Sequence, residues 1–117
     1  MSNENVFVKI ETLQSFMEDT FKKLGLSEEN ARISIDVLIT ANKRGIDSHD
    51  IERLKPFYYD NLKDGKISTK IEMEILKESP TTATIDGQGG IGLVIAKRSM
   101  EMAIEKAREY GMGMVAV

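Results

Sequence analysis

Residues 44–53 read Arg-Gly-Ile-Asp-Ser-His-Asp-Ile-Glu-Arg and hold the one histidine of the chain. His49 stands directly behind Asp47-Ser48, and Arg53 follows four positions later. Asp and Ser favour helix N-caps, because their side-chain oxygens accept the backbone N–H groups that a first helical turn leaves free. A helix starting at Ser48 would put His49 and Arg53 at i and i+4, on one face. Hydroxyl, imidazole and guanidinium would then stand side by side, a group able to hold a small anion and exchange a proton with it. The competing structural reading is an exposed or hydrogen-bonded His at a helix start and a solvated Arg on the next turn.

A second candidate lies at Gly87, Gly89 and Gly92, which satisfy G-x-G-x-x-G between an expected strand and an expected helix. In that context backbone N–H groups and the helix dipole can receive a pyrophosphate. Two features weaken this reading. The preceding strand, Thr-Thr-Ala-Thr-Ile, is half polar, whereas a central parallel strand is almost wholly apolar. Three expected helices also precede a strand that ought to open a dinucleotide-binding fold. The loop therefore reads as a structural turn whose glycines supply positive φ and let the next helix approach the strands.

Helical periodicity positions these groups. Ile10, Leu13, Phe16, Met17, Phe21 and Leu24 recur at helical spacing, and Gly25 suits a left-handed stop. Ser27 followed by Glu28 and Glu29 marks the start of a second helix, with Ala31, Ile35, Leu38 and Ile39 in the core. A third helix is expected from Ser48, with Ile51, Leu54, Tyr58 and Leu62 on one side and a kink or restart at Pro56. Of Tyr58 and Tyr59, one ring is expected inside and one outside. Ile71, Met73 and Ile75 alternate with Glu72 and Glu74 as in a half-buried strand. Thr81 to Ile85 is expected to pair with it as a hairpin. A helix from Leu93 to about Tyr110 should bury Ala96, Met100, Ala103 and Ala107 and leave Lys97-Arg98 and Lys106–Arg108 wet. Met112–Val117 completes the pattern as another strand. The expected fold class is mixed α+β: a three-helix domain over 1–65, then a strand hairpin, long helix and further strand over 66–117.

Composition narrows the function classes. The 117 residues are 41% hydrophobic and 30% charged, with a net charge of −3, which argues against nucleic acid as a partner. No apolar run approaches the roughly 20 residues of a membrane span, and the N-terminus lacks a signal-peptide pattern. No membrane association is expected, and a cytoplasmic location fits. The absence of Cys removes disulfides and thiol catalysis, and with a single His no metal site is expected. The apolar ending Gly-Met-Gly-Met-Val-Ala-Val suggests that more chain once followed.

The stretch Ala41–His49 with Arg53, then Ile85–Gly92, then Ala107–Val117, in this order and spacing, resembles the malate/L-lactate dehydrogenase family. This is the non-Rossmann group that includes L-sulfolactate and ureidoglycolate dehydrogenases. The resemblance runs from about Val8 to the end of the chain. It implies the opening part of a larger dehydrogenase fold, oxidising a small 2-hydroxy acid with NAD or NADP, and a homodimer at full length. It places Ser48, His49 and Arg53 in the substrate and nicotinamide pocket, with Ser48 and His49 catalytic and Arg53 binding the substrate carboxylate through its planar fork. The glycine loop is not that family's cofactor fingerprint. Two departures stand out: Asp50 occupies a position where the family usually has Gly, and the main proton-donor histidine expected of the family would follow Val117. By the same reading, the 117 residues alone lack turnover. The alternative from another class is a small, non-catalytic helical interaction module with an exposed apolar patch.

Overall fold

The computed structural model describes residues 6–46, 48 and 51–117. Helix α1 spans Ile10–Lys23 and buries Met17 and Phe21 completely. Phe16 belongs to the same periodic series but is 63% exposed, because it falls one position off the stripe that faces the next helix. The helix closes in a Schellman motif: Leu26 N–H donates to Phe21 O, Gly25 N–H donates to Lys22 O, and Gly25 takes φ +107°.

Helix α2, Glu28–Lys43, starts where expected. The Ser27 hydroxyl accepts the Asn30 N–H at 3.1 Å, and Glu28 and Glu29 occupy the first turn. Ala31, Ser34, Ile35, Leu38 and Ile39 are buried. The helix ends in a second Schellman closure, with Ile46 N–H donating to Ala41 O and Gly45 at φ +70°.

The third helical stretch differs from the single kinked helix expected. Ile51–Arg53 forms a 3₁₀ turn, Leu54–Tyr59 a π-helical turn, and Asp60–Lys63 a short helix α3. Pro56 explains the widening. Its missing N–H cannot bond the Glu52 carbonyl, and in α geometry its ring would strike that group. The chain shifts to i→i−5 bonding, with Asp60 N–H donating to Lys55 O. Tyr58 and Tyr59 both end half-buried rather than dividing inside and outside. A third Schellman closure at Gly65, φ +74°, ends the stretch.

Strand β1 is Glu74–Glu78, later than expected, and all five of its residues are exposed. The alternation of Ile71, Met73 and Ile75 has a different origin. Ile71 packs on the core ahead of β1, and ladder bonding to β2 starts only at Glu74. A bulge between Ile75 and Lys77 then breaks the phase. Strand β2, Thr82–Asp86, pairs antiparallel with β1 as the expected hairpin. Its turn is held by Ser79, whose hydroxyl accepts Thr82 N–H at 3.0 Å and meets Thr82 Oγ1 at 2.6 Å.

Helix α4, Gly92–Tyr110, crosses over to strand β3, Met114–Ala116, which pairs parallel with β2. The sheet order is β1-β2-β3, and the class is mixed α+β as expected. The buried face of α4 is Val94, Ile95, Ser99 and Ala103, rotated from the expected one, and Met100 is 61% exposed. The charges expected to be wet include two that are not. Lys106 has a side chain only 12% exposed and donates to Glu78 and to the Ser79 carbonyl, both at 2.8 Å. Arg98 donates to Asn30 Oδ1 at 2.8 Å, tying α4 to α2.

One apolar cluster runs through Met17, Phe21, Leu26, Ala31, Ile35, Leu38, Ile39, Leu62, Ile91 and Val94. At the far end of α4 the strand backbone comes very close. A Cβ on Gly113 would collide with the Ala103 carbonyl oxygen and stand 2.9 Å from its carbon, whereas one on Gly92 would meet nothing within 4 Å. Gly113→Ala should therefore cost on the order of 1–3 kcal/mol by overpacking. Gly92→Ala, at the first turn of α4, should be neutral or stabilising by up to about 1 kcal/mol. Urea denaturation of both variants checks the contrast, and equal effects would rule out the close approach.

Candidate functional site

Ser48 is exposed and already 3₁₀-helical, not an extended cap residue. His49, with its neighbours Asp47 and Asp50, lies outside the described residues. The α-helical i, i+4 argument for a shared His49–Arg53 face does not carry over, because Arg53 ends a 3₁₀ turn. What the structure does join is Ser48 and Arg53. The Arg53 Nε–H donates to the Ser48 backbone carbonyl at 2.6 Å. The bond uses the Ser48 carbonyl; the expected pairing was through side chains.

The guanidinium also lies 5.8 Å from the centroid of the Phe57 ring. Phe57 in turn meets Tyr58 edge-on at 5.0 Å and 85°, and Tyr58 meets the buried Phe21 at 6.3 Å and 65°. An aromatic chain thus connects Arg53 to the centre of the core. Phe57 had no assigned role in the sequence, and Tyr58 was expected only on the apolar side of the third helix. The available signal was the position of Phe57 four residues after Arg53 and directly after Pro56.

Burial raises the Tyr58 phenol above its ordinary pKa of about 10, and the Arg53 charge partly offsets this. The neutral phenol is the form the fold favours. Its contribution to stability is full below pH 10 and is lost as pH rises through the raised value.

Phe57 and Tyr58 form one wall of a mainly apolar cleft of about 930 Å³, whose lining also includes Val37 of α2, Leu93 and Met100 of α4, and Gly89 and Gly90 of the glycine loop. The glycine loop borders this cleft; Ser48 and Arg53 do not line it, and Arg53 is linked to it through the Phe57 ring. The glycine loop is strained and internally bonded. Gln88 and Gly89 take φ +51° and +72°. Gln88 N–H donates to Asp86 Oδ1 at 2.8 Å, and Gly90 N–H donates to Gly87 O at 3.0 Å. A Cβ on Gly87 or Gly90 would stand 2.9 or 3.0 Å from Ile95 Cδ1. Two amides that a pyrophosphate would need are thus spent within the turn, while the glycines let Ile95 of α4 seat beneath it. The cleft is mainly apolar, with Asp36, Lys66, Lys97 and Glu101 among its lining residues. Among the described residues, no cluster of His, Cys, Asp and Glu is arranged to hold a metal ion. Nor is any helix among them long and apolar enough to cross a membrane.

A family model described as malate/L-lactate dehydrogenase matches residues 8–117. The chain is 44% identical over 111 residues to an L-sulfolactate dehydrogenase of Methanocaldococcus jannaschii, covering 95% of this chain and 32% of that protein. It is 45% identical over 105 residues to a malate dehydrogenase of Pyrococcus abyssi, covering 90% and 29%. The crystal structure of malate dehydrogenase from Entamoeba histolytica superposes with a TM-score of 0.91 at 45% identity, over 96% of this chain and 31% of that one. The chain spans about a third of the length of the curated relatives it matches.

The electrostatics of the aromatic chain can be measured directly. Arg53→Ala removes the charge that lowers the Tyr58 pKa and leaves the burial that raises it. Tyr58 should then ionise at still higher pH. Phenolate absorbance across an alkaline titration reads this, with Tyr58→Phe assigning the transition. A downward shift in the Arg53 variant would contradict the placement.

Proposed function

The chain belongs to the malate/L-lactate dehydrogenase family, and on that premise we propose that it is the N-terminal part of an NAD- or NADP-dependent oxidoreductase. Its substrate is a small 2-hydroxy acid of the malate, L-lactate or L-sulfolactate type. The observation that carries the reading is Arg53: a guanidinium held at its Nε edge by the Ser48 carbonyl and over its face by Phe57, a ring that lines the cleft, within the stretch that matches the family. A fork so held suits a substrate carboxylate, which accepts two parallel N–H bonds.

Arg53 binds and orients the acid end of the substrate. Ser48 and His49 act at the hydroxyl, where oxidation releases a proton that a positioned base must accept. The nicotinamide, when bound, supplies the acceptor for the hydride leaving the hydroxyl-bearing carbon. The glycine loop shapes the cleft.

Residues 1–65 form the helical domain of this enzyme and 66–117 the start of its mixed domain. The active form is a cytoplasmic homodimer of the longer polypeptide. Exposed Val6, Phe7 and Phe16 favour the alternative of a non-catalytic interaction module, and membership of a dehydrogenase family weighs against it.

Two measurements test the reading. The purified 117 residues should give no turnover with malate, lactate or sulfolactate and either nicotinamide cofactor. Robust turnover would overturn the assignment of the segment as a part. In the longer polypeptide, Arg53→Ala should lower kcat/KM for the hydroxy acid roughly 30- to 1000-fold, about 2–4 kcal/mol of transition-state binding. Gly89→Ala should keep the cofactor KM and lose only stability, since a non-Gly residue is strained at its φ of +72°. The reverse pattern would move the assignment to the glycine loop.

A further inference from the structure

Arg53 has five N–H donors, and two features of this chain decide which of them can meet a ligand. The Nε–H is committed to the Ser48 carbonyl at 2.6 Å. A carboxylate cannot then use the side-on fork of Nε and Nη2, and it meets the end-on pair of Nη1 and Nη2. The second feature is Phe57, whose ring lies under the guanidinium at 5.8 Å. An aromatic face attracts a planar cation and fixes the tilt of its plane. Phe57 reaches this place through the π-helical turn that Pro56 imposes. Its ring is braced on the other side by Tyr58, which packs on Phe21. Phe57 is still 45% exposed, so the ring is not a core element whose loss would unfold the chain.

We propose that Phe57 is a positioning residue for Arg53, and that ring and Ser48 carbonyl together present the Nη1/Nη2 end of the guanidinium to the substrate carboxylate. This rests on the assignment of Arg53 as the carboxylate partner. The contact acts through Arg53 on a carboxylate that is present in substrate and transition state alike, so it supplies binding common to both. Its loss therefore falls on KM for the hydroxy acid and spares kcat and the cofactor KM.

The test is steady-state kinetics on the longer polypeptide with Phe57→Leu, Phe57→Trp and Arg53→Ala. Phe57→Leu keeps apolar volume and removes the π face. It should raise KM for the hydroxy acid roughly 2- to 5-fold, the range of a half-exposed cation–π contact. Phe57→Trp, a stronger π donor, should restore or lower that KM. A Phe57→Leu enzyme with unchanged substrate KM beside a damaged Arg53→Ala enzyme would overturn the positioning role alone. Equal losses in substrate and cofactor parameters that Phe57→Trp does not rescue would also overturn it, in favour of a structural role. A neutral Arg53→Ala would instead remove the anchor reading on which the proposal stands.

A readout independent of activity is the Arg53 Nε–H resonance in the 117-residue chain. It should exchange slowly in the wild type and in Phe57→Leu, and move on loss of the ring. A fast-exchanging, unmoved resonance would contradict the geometry.

Discussion

The burial of α2 between α1 and α4 is the constraint on which the rest depends. Ile35 and Leu38 are sealed from solvent, and each such side chain contributes on the order of 1.5–3 kcal/mol through apolar area removed from water. On one side α2 meets Met17 and Phe21 of α1; on the other it meets Val94 of α4. The sheet hangs from this arrangement through α4, whose Ile95 seats under the glycine loop and whose Ala103 backbone receives Gly113. The candidate site hangs from it too, because Phe21 supports Tyr58, Tyr58 supports Phe57, and Phe57 lies under Arg53. A guanidinium half open to water is thereby held by a core residue with no exposure at all.

The polar ties in this structure are few and specific. Asn30 meets Arg98 where α2 meets α4, and Lys106 reaches across to Glu78 and the Ser79 carbonyl where α4 meets the hairpin. Hydrogen bonds to charged groups contribute about 1.5–3 kcal/mol when shielded, so the largely buried Lys106 matters more than the exposed pair Arg32–Glu28. The three Schellman closures at Gly25, Gly45 and Gly65 stop each helical stretch so that the next can turn back onto the same core.

Much of this was legible in the chain itself. Ser27 with two acids after it marks the start of α2, and each of the glycines at 25, 45, 65 and 111 adopts positive φ at a helix end. Local chemistry decides such positions, so local reading finds them. The failures share a cause: they depend on what lies across the space from the residue. Met100 has the spacing of a core residue, yet the face that α4 buries is Val94, Ile95, Ser99 and Ala103, which leaves Met100 outside. In the Ile71–Ile75 alternation only Ile71 packs on the core, and Ile75 lies exposed in β1, whose pairing to β2 carries a bulge. Pro56 announced a break, but the spacing alone did not say whether the helix would kink, end or widen; the structure has a wide π-helical turn there, with Tyr58 packed on Phe21. At the site, Ser48 and Arg53 were legible as types and as near neighbours. Their actual link, through the Ser48 carbonyl and over Phe57, required the 3₁₀ and π geometry that no α-helical spacing contains.

The central claim is that Arg53 recognises the substrate by its carboxylate. The most direct measurement compares two substrates that differ only in that charge, L-lactate and L-lactamide, in wild type and in Arg53→Ala of the longer polypeptide. Wild type should strongly prefer lactate in kcat/KM, because the neutral amide cannot accept two charge-assisted bonds from the guanidinium. In Arg53→Ala the preference should collapse, mainly through loss of activity on lactate. A preference for lactate that survives unchanged in Arg53→Ala would contradict the account, and would place the carboxylate-binding group elsewhere in the protein.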